Sequence, residues 1–324
     1  FELGALLERV NLTDVATPEQ ALERVKALMV RRYDFFMCSG RECVDYTRFL
    51  AGKKKPVWSR AWNVVDNESI ARQAEEAGAD EEIYRHLRIP AGAPFFLAPN
   101  RFLPKKNMSG FLRAVALYRE KAKAAGHESV HFILSGKGPL RESIEAGIRE
   151  SGLDDCVRIV DWIPYHRMPR AFRLSLGLVL PSHFDQWGMT VNEALAAGAP
   201  ALVSNRCGAH ELIRNHVNGF TFDPDDAGHL SDLLLAVGHE RALCDHLRRQ
   251  AAESTRMASL DAGRDLEGDE VQRYWFARAL EEIVSAPLAW LKLMGSKALL
   301  LVSGRDLPLS YSIELEMSRF TPIL

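Results

Sequence analysis

Two carboxylates eight positions apart, Asp185 and Glu193, stand on either side of Gly188 in the stretch His183-Phe184-Asp185-Gln186-Trp187-Gly188-Met189-Thr190-Val191-Asn192-Glu193-Ala194-Leu195-Ala196-Ala197-Gly198-Ala199-Pro200. The stretch joins the apolar run 176–180 to a short helical pattern, with Asp185 ahead of the helix and Glu193 inside it. A glycine at a helix entrance lets backbone N–H groups approach a ligand with no Cβ in the way, and the helix N-terminus favours negative charge. Strand, acid, glycine, helix, second acid is an order that suits a nucleotide carrying negative charge. It equally describes a plain strand–loop–helix unit in which Asp185 is a solvated loop residue.

Other chemistry-bearing residues follow apolar runs in the same way. Arg101 and Lys106 lie in Asn100-Arg101-Phe102-Leu103-Pro104-Lys105-Lys106-Asn107, between the run 95–98 and a helical pattern. There a guanidinium and an ammonium can clamp a diphosphate, or simply face water beside a turn. Gly136-Lys137-Gly138-Pro139 is neither GxGxxG nor a Walker loop, so hydride transfer and P-loop chemistry are poorly supported. A tight turn with Pro139 at the first helical position explains it as well. Asp161-Trp162-Ile163-Pro164-Tyr165 could wall a nucleobase or pack as an ordinary aromatic segment. Ser204-Asn205-Arg206-Cys207-Gly208 offers N–H groups and Arg206 towards the same rim; Cys207 has no histidine paired with it in sequence and is not expected to be a nucleophile. Asp223-Pro224-Asp225 contains DxD, but its proline and its place before a helix indicate turn and capping duty rather than a metal site.

The elements that must carry these loops alternate. Short apolar runs at 95–98, 130–134, 157–160, 176–180 and 201–204 are interleaved with helical patterns at 107–125, 139–150, 168–174, 189–197 and 209–215. Buried strands alternating with helices argue for a parallel sheet covered on both faces, whose ligands sit beyond the carboxyl ends of the strands. Every loop named above, apart from that of Asp223, is at such an end. Further helices are expected at 225–236, 241–253 and 271–285, with a strand at 299–302. Upstream, a helix over 18–31, a strand over 33–38, a helix over 41–51, a short strand at 57–60 and a helix over 81–87 are too few for a self-standing doubly wound domain. The run Gly52-Lys53-Lys54-Lys55-Pro56 reads as a solvated turn. The expected division is therefore a partial N-terminal α/β domain over 1–91, a ligand-binding domain over 92–267, a C-terminal helix over 268–286 and a tail over 287–324.

Composition sets bounds on partners. The 324 residues are 47% hydrophobic and 26% charged, with net charge −2. No global basic field exists to hold nucleic acid, so phosphate binding must be local. The odd, scattered cysteines (Cys38, Cys43, Cys156, Cys207, Cys244) suggest neither a disulfide framework nor a zinc site, and fit a reducing compartment. No leader pattern and no membrane-spanning run is visible, and the opening Phe1 suggests that the natural N-terminus lies upstream.

Taken in order, these motifs resemble the family 4 retaining glycosyltransferases, a GT-B fold family. The family's E-x7-E motif is similar to Asp185–Glu193, with Asp in place of the first Glu, and its EAMAxGxPVVxS is similar to Glu193 through Ser204. Arg101 and Lys106 match its R-x4-K pair; Gly136-x-Gly138-Pro139, Leu180-Pro181-Ser182 and Asn218-Gly219-Phe220 match GxGP, LPS and NGF; and Asn63-Val64-Val65-Asp66 resembles its NGVD-type segment. Where the family has Gly before the arginine, this chain has Asn100. The resemblance covers about residues 57–286. It implies a nucleotide-diphosphate sugar as donor substrate and no metal or other cofactor. Arg101 and Lys106 would bind the diphosphate, and Gly188, Met189 and Thr190 would offer N–H groups to the phosphates or the sugar. Glu193 would hold the ribose hydroxyls, and Asp185 sugar hydroxyls near the anomeric centre. Gly136, Trp162 and Ile163 would complete the nucleotide side. The acceptor would be a glycan, a lipid-linked molecule or a small molecule, as in polysaccharide biosynthesis. The place of work would be the cytoplasm or the inner face of the membrane, with peripheral membrane contact and no spanning segment. The alternatives are a non-catalytic nucleotide-sugar-binding module, or a GT-B epimerase or phosphorylase.

Overall fold

A computed structural model of the chain describes residues 18–58, 65–76 and 80–254. The expected helix at 271–285, the strand at 299–302, the tail and Asn63 and Val64 lie outside them. In chain order the elements are α1 (Pro18–Val30), β1 (Phe36–Met37), α2 (Arg41–Ala51), β2 (Val57–Trp58), α3 (Asn67–Glu75), α4 (Asp80–Leu87), β3 (Phe95–Pro99), α5 (Met108–Ala124), β4 (His131–Ser135), α6 (Arg141–Glu150), β5 (Val157–Val160), α7 (Met168–Leu174), β6 (Gly177–Leu180), α8 (Met189–Ala196), β7 (Ala201–Ser204), β8 (Gly219–Phe222), α9 (Ala227–His239) and α10 (Arg241–Ser254).

The strands β3 to β8 form one parallel sheet in the order β5-β4-β3-β6-β7-β8. All residues of β3, β6 and β7 are buried, as a parallel sheet covered on both faces requires. The two faces can be read residue by residue along β3. Phe96 and Ala98 join Phe111, Val115 and Tyr118 of α5 and Leu230 and Leu234 of α9 on one side. Phe95 and Leu97 join Phe172 of α7 and Val191 and Leu195 of α8 on the other. Strand order runs outward from β3 to β5 in one direction and from β6 to β8 in the other. The reversal leaves a crevice beyond the carboxyl ends of β3 and β6, where an open α/β sheet takes its ligand. The loops leaving those two strands are 100–107 and 181–188.

Three expectations need correction. Residues 209–215 do not form a regular helix: a 3-10 turn covers Gly208–Leu212 and the chain then extends. The backbone there is already committed, with Gly208 N–H donating to Asp185 O at 3.0 Å, Ala209 N–H to Trp187 O at 2.8 Å and Arg214 N–H to Asn218 Oδ1 at 2.7 Å. The helix after Gly138 starts at Arg141 rather than Pro139, because Leu140 N–H donates to Phe102 O at 3.2 Å. The segment 33–38 shortens to the two-residue β1, paired in parallel with β2. Two elements have no counterpart in the sequence reading: α3, opened by Asp66 accepting from Ser69 N–H at 2.9 Å, and the edge strand β8.

Candidate functional site

Lys106 is held in place by its neighbour Asn107. Asn107 adopts a left-handed conformation (φ 53°, ψ 41°), one that asparagine tolerates better than most residues. Its Oδ1 caps α5 by accepting from Gly110 N–H at 3.1 Å. Its Nδ2 donates to Pro181 O at 3.2 Å and to Pro224 O at 2.9 Å. One buried side chain thus ties the loops after β3, β6 and β8 together, and a Cβ on Gly110 would collide with it. Replacing Asn107 with Ala should cost about 2–4 kcal/mol, summing a lost cap, two orphaned carbonyls and an unfavourable φ. Asn107→Gly should be milder by about 1 kcal/mol because it keeps the backbone freedom. Denaturant midpoints measure both, and an Asn107→Ala protein as stable as the wild type would refute this role.

The loop after β6 is fastened on both sides. His183 N–H donates to Lys105 O at 2.9 Å, while Asp185 pairs with Cys207 in a parallel bridge. Asp185 is thereby brought to Lys106, and the two side chains form an ion pair with Lys106 Nζ donating to Asp185 Oδ2. Lys106 is only 7% exposed, so water competes weakly for this contact. Arg101 is exposed at the same rim and has no ion pair among the described residues. Gly188 turns the chain into α8 with φ 102° and ψ 64°, a conformation that suits glycine. The first N–H of the helix to find an acceptor is that of Val191, on Gly188 O at 2.9 Å. The N–H groups ahead of it have no acceptor among the described residues and remain for a ligand.

These residues surround one cleft of about 410 Å³. Its lining includes Arg101, Lys106, Trp162, Asp185, Gly188, Met189 and Thr190, together with Asn100, Gln186 and Trp187. Ser39, from the turn between β1 and α2, reaches the same space. Trp162 is 46% exposed and lines the cleft rather than packing in the core. Seven of the residues singled out from sequence therefore meet at one place.

Three do not line it. Glu193 sits one turn further along α8, half-buried and without an ion pair among the described residues, and burial raises its carboxyl above the usual carboxylate range. Ile163 is buried in the core beside Phe172. Gly136 serves packing: a Cβ there would fall inside the contact radius of the Asn100 carbonyl oxygen. Its N–H donates to Val160 O at 3.0 Å, so it holds the Arg101 loop close to β4 and β5.

Arg206 is also placed differently from the expectation that it faces the rim. Its Nη2 reaches Asp223 Oδ1 at 3.0 Å and Asp225 Oδ2 at 2.6 Å, joining the loops after β7 and β8. Asp223 Oδ1 further accepts from Asp225 N–H at 3.0 Å and Asp226 caps α9, so the DxD has the turn and capping duty expected of it. Among the described residues no group of three or more His, Cys, Asp and Glu side chains is placed to hold a metal ion. Cys207 is fully buried and its thiol is pushed up to about 12, by burial first and the Asp185 charge second. A thiol so placed is not a nucleophile. Sequence reasoning missed Asn107 and the Lys106–Asp185 pair; an asparagine at the entrance of a helical pattern, a capping residue type, was the available signal for the first, and nothing local encoded the second.

A cleft with two cations, a helix N-terminus, one carboxylate and an aromatic wall can hold a phosphorylated, hydroxyl-bearing ligand. A family model described as glycosyl transferases group 1 matches residues 79–254. A D-inositol 3-phosphate glycosyltransferase of Thermomonospora curvata is 27% identical over 192 residues, covering 58% of this chain and 44% of that protein. The lipopolysaccharide core biosynthesis glycosyltransferase LpsD of Rhizobium meliloti is 27% identical over 217 residues, covering 66% and 58%. The chain thus spans about half the length of these curated relatives. Among solved structures, the sucrose-phosphate synthase of Thermosynechococcus elongatus superposes with a TM-score of 0.63 at 18% identity over 88% of this chain and 66% of that one. HepE of Anabaena in complex with UDP gives 0.63 at 16% identity, over 82% and 69%.

Proposed function

This chain belongs to the group 1 glycosyl transferases and has a GT-B architecture, and on that premise we propose that it moves a sugar from a nucleotide-diphosphate sugar to an acceptor with retention of anomeric configuration. The observation that carries the reading is the convergence of Arg101, Lys106 and the N-terminus of α8 on one cleft. When the bond between the anomeric carbon and the diphosphate oxygen breaks, negative charge grows on the departing phosphate, and fixed positive groups lower the barrier. Two charge-assisted contacts at about 1.5–3 kcal/mol each and a helix N-terminus at about 0.3–2 kcal/mol supply about 3–8 kcal/mol. Enzymes typically need about 8 kcal/mol or more. Acceptor positioning supplies the balance.

In this reading Asp185 has two tasks. It holds Lys106 in the empty cleft, and it offers its free lone pairs to sugar hydroxyls once the diphosphate shares the ammonium. Glu193 takes the ribose hydroxyls, a duty that suits a half-buried carboxyl with no cation beside it. Trp162 flanks the nucleotide. The reaction needs no metal, since Arg101 and Lys106 provide the charge and the DxD carboxylates are engaged by Arg206. The acceptor, a glycan, lipid-linked or small molecule, enters from the side of Ser39, which we assign to the partial N-terminal domain over 1–91; the donor domain is 92–267. Described residues contain no helix long and apolar enough to cross a membrane. The free cysteines support work in the cytoplasm, with peripheral contact at the inner membrane face.

Product analysis tests the reading. The full chain is incubated with UDP-, GDP- and ADP-sugars, with and without glycan and lipid-linked acceptors. Glycosylated acceptor carrying the donor's anomeric configuration is expected. Isomerised donor without acceptor would indicate an epimerase, and bound but unchanged donor a non-catalytic binding module.

A further inference from the structure

The turn that brings Ser39 to the cleft is fastened from a distant part of the chain. Helix α2 starts at Arg41, and Gly40 ahead of it has no side chain to cap it. The first N–H of the helix goes instead to a residue 170 positions away: Arg41 N–H donates to Glu211 Oε1 at 2.5 Å. A carboxylate there satisfies an orphan donor and meets the positive end of the helix dipole. The seat is close. Gly40 is extended backbone (φ 168°, ψ −178°) that any residue adopts, so it is the room that demands glycine. A Cβ on it would stand 2.8 Å from Glu211 Oε1 and 3.0 Å from Trp187 Cζ3.

Glu211 is in turn anchored to the loop of Asp185. It belongs to the 3-10 turn Gly208–Leu212, whose Gly208 N–H donates to Asp185 O at 3.0 Å and whose Ala209 N–H donates to Trp187 O at 2.8 Å. The Trp187 ring is itself fixed, with Nε1 donating to Asn192 Oδ1 of α8 at 2.8 Å. Contacts thus run from the loop after β6 through Glu211 to the turn of Ser39. Glu211 lies outside the lining of the cleft, while Ser39 is part of it.

We propose that Glu211 is a positioning residue for sugar transfer: by capping α2 it holds the turn of Ser39 against the cleft, and so sets the acceptor-side wall without binding the nucleotide sugar. Its role rests on the donor reading above and on entry of the acceptor beside Ser39. Nucleotide binding and acceptor use should then part company when the cap is cut. A residue that merely supports the fold would weaken both together.

The bond can be cut from either end in the full chain. Glu211→Ala removes the accepting oxygen. Arg41→Pro removes the donating N–H, and proline fits the first position of a helix and follows an extended residue such as Gly40. Arg41→Ala keeps the N–H and is the reference for the proline variant. Transfer is measured on the acceptor that the wild type glycosylates in the product analysis above, and affinity for UDP, GDP and ADP by calorimetry. If the wild type transfers from none of the nucleotide sugars, the donor reading itself fails and takes this role with it. Given transfer, Glu211→Ala and Arg41→Pro should each lower kcat/KM for the acceptor by about 10- to 100-fold. Affinity for the preferred diphosphate should stay within about twofold of the wild type. The double variant should lose no more than the worse single one, because both cut the same bond. Glu211→Gln should lose less than Glu211→Ala, since a neutral acceptor keeps about half the strength of the bond. Wild-type acceptor kcat/KM in Glu211→Ala would overturn the assignment while leaving the donor reading intact. So would losses that add in the double variant, or an equal loss of diphosphate affinity.

Discussion

Lys106→Ala should lower sugar transfer by about 100- to 1000-fold, the usual effect of removing one preorganised donor to a developing anion. Affinity for the nucleoside diphosphate should fall by about 10- to 100-fold, the equivalent of one charge-assisted contact. Both effects follow from the position of the ammonium: buried to 7% exposure, tied to Asp185 and facing the cleft beside Arg101. The variant also leaves the Asp185 carboxylate, 20% exposed, without its cation and directed at an incoming diphosphate. Part of the binding loss is therefore repulsion. Asp185→Asn in the Lys106→Ala background should recover affinity and leave turnover low, because the asparagine removes the repulsion but supplies no charge to the leaving group. Steady-state kinetics with calorimetry separate the two parts. A Lys106→Ala enzyme with ordinary turnover would remove the ammonium from the mechanism.

The second large effect is expected at Gly188. At φ 102° an alanine is strained by about 1–2 kcal/mol, and its Cβ would stand 2.8 Å from Leu180 Cδ2. That neighbour is the end of a flexible side chain and can move, so the backbone strain dominates. Gly188→Ala should lower stability by about 1–3 kcal/mol, a melting shift of about 2–4 °C per kcal/mol for a unit of this size. Relaxing φ swings the first N–H groups of α8 away from the cleft, so donor affinity should fall at least about 10-fold through the lost helix-terminus contacts. Leu180→Ala combined with Gly188→Ala discriminates the causes. Relief of the side-chain contact should not restore binding if the backbone is at fault, and full restoration would show that the clash, not φ, was the obstacle.

The residues at the strand ends were legible in the sequence because a parallel sheet leaves little choice about where its loops go. Once 95–98 and 176–180 read as buried strands, Arg101, Lys106, Asp185 and Gly188 had to share one edge. The rest was hidden for particular physical reasons. Gly136 looked like a ligand loop, yet its missing Cβ lets two backbone segments meet. A close approach to a ligand and one to a neighbouring loop leave the same mark in sequence. Arg206 looked like a third cation at the rim until Asp223 and Asp225, on a loop 17 and 19 positions away, engaged it. Residues 209–215 carry a helical pattern, but Ala209 N–H donates to the loop of Asp185 and Arg214 N–H to the Asn218 side chain, and tertiary partners override local propensity. Strand β8, Gly219 to Phe222, carries a half-buried threonine between its phenylalanines and follows Asn218, so no continuous apolar run marks it. Asn107 opens a helical pattern in the sequence, while its side chain joins three loops that sequence separation keeps apart.

The most direct measurement is a crystal structure of the full chain with its preferred nucleoside diphosphate. The diphosphate should lie between Arg101 and Lys106 on one side and the N–H groups of Gly188, Met189 and Thr190 on the other, with the ribose towards Glu193. A diphosphate bound elsewhere, such as the turn at 136–140, or turned so that its phosphates meet neither cation, would contradict the account.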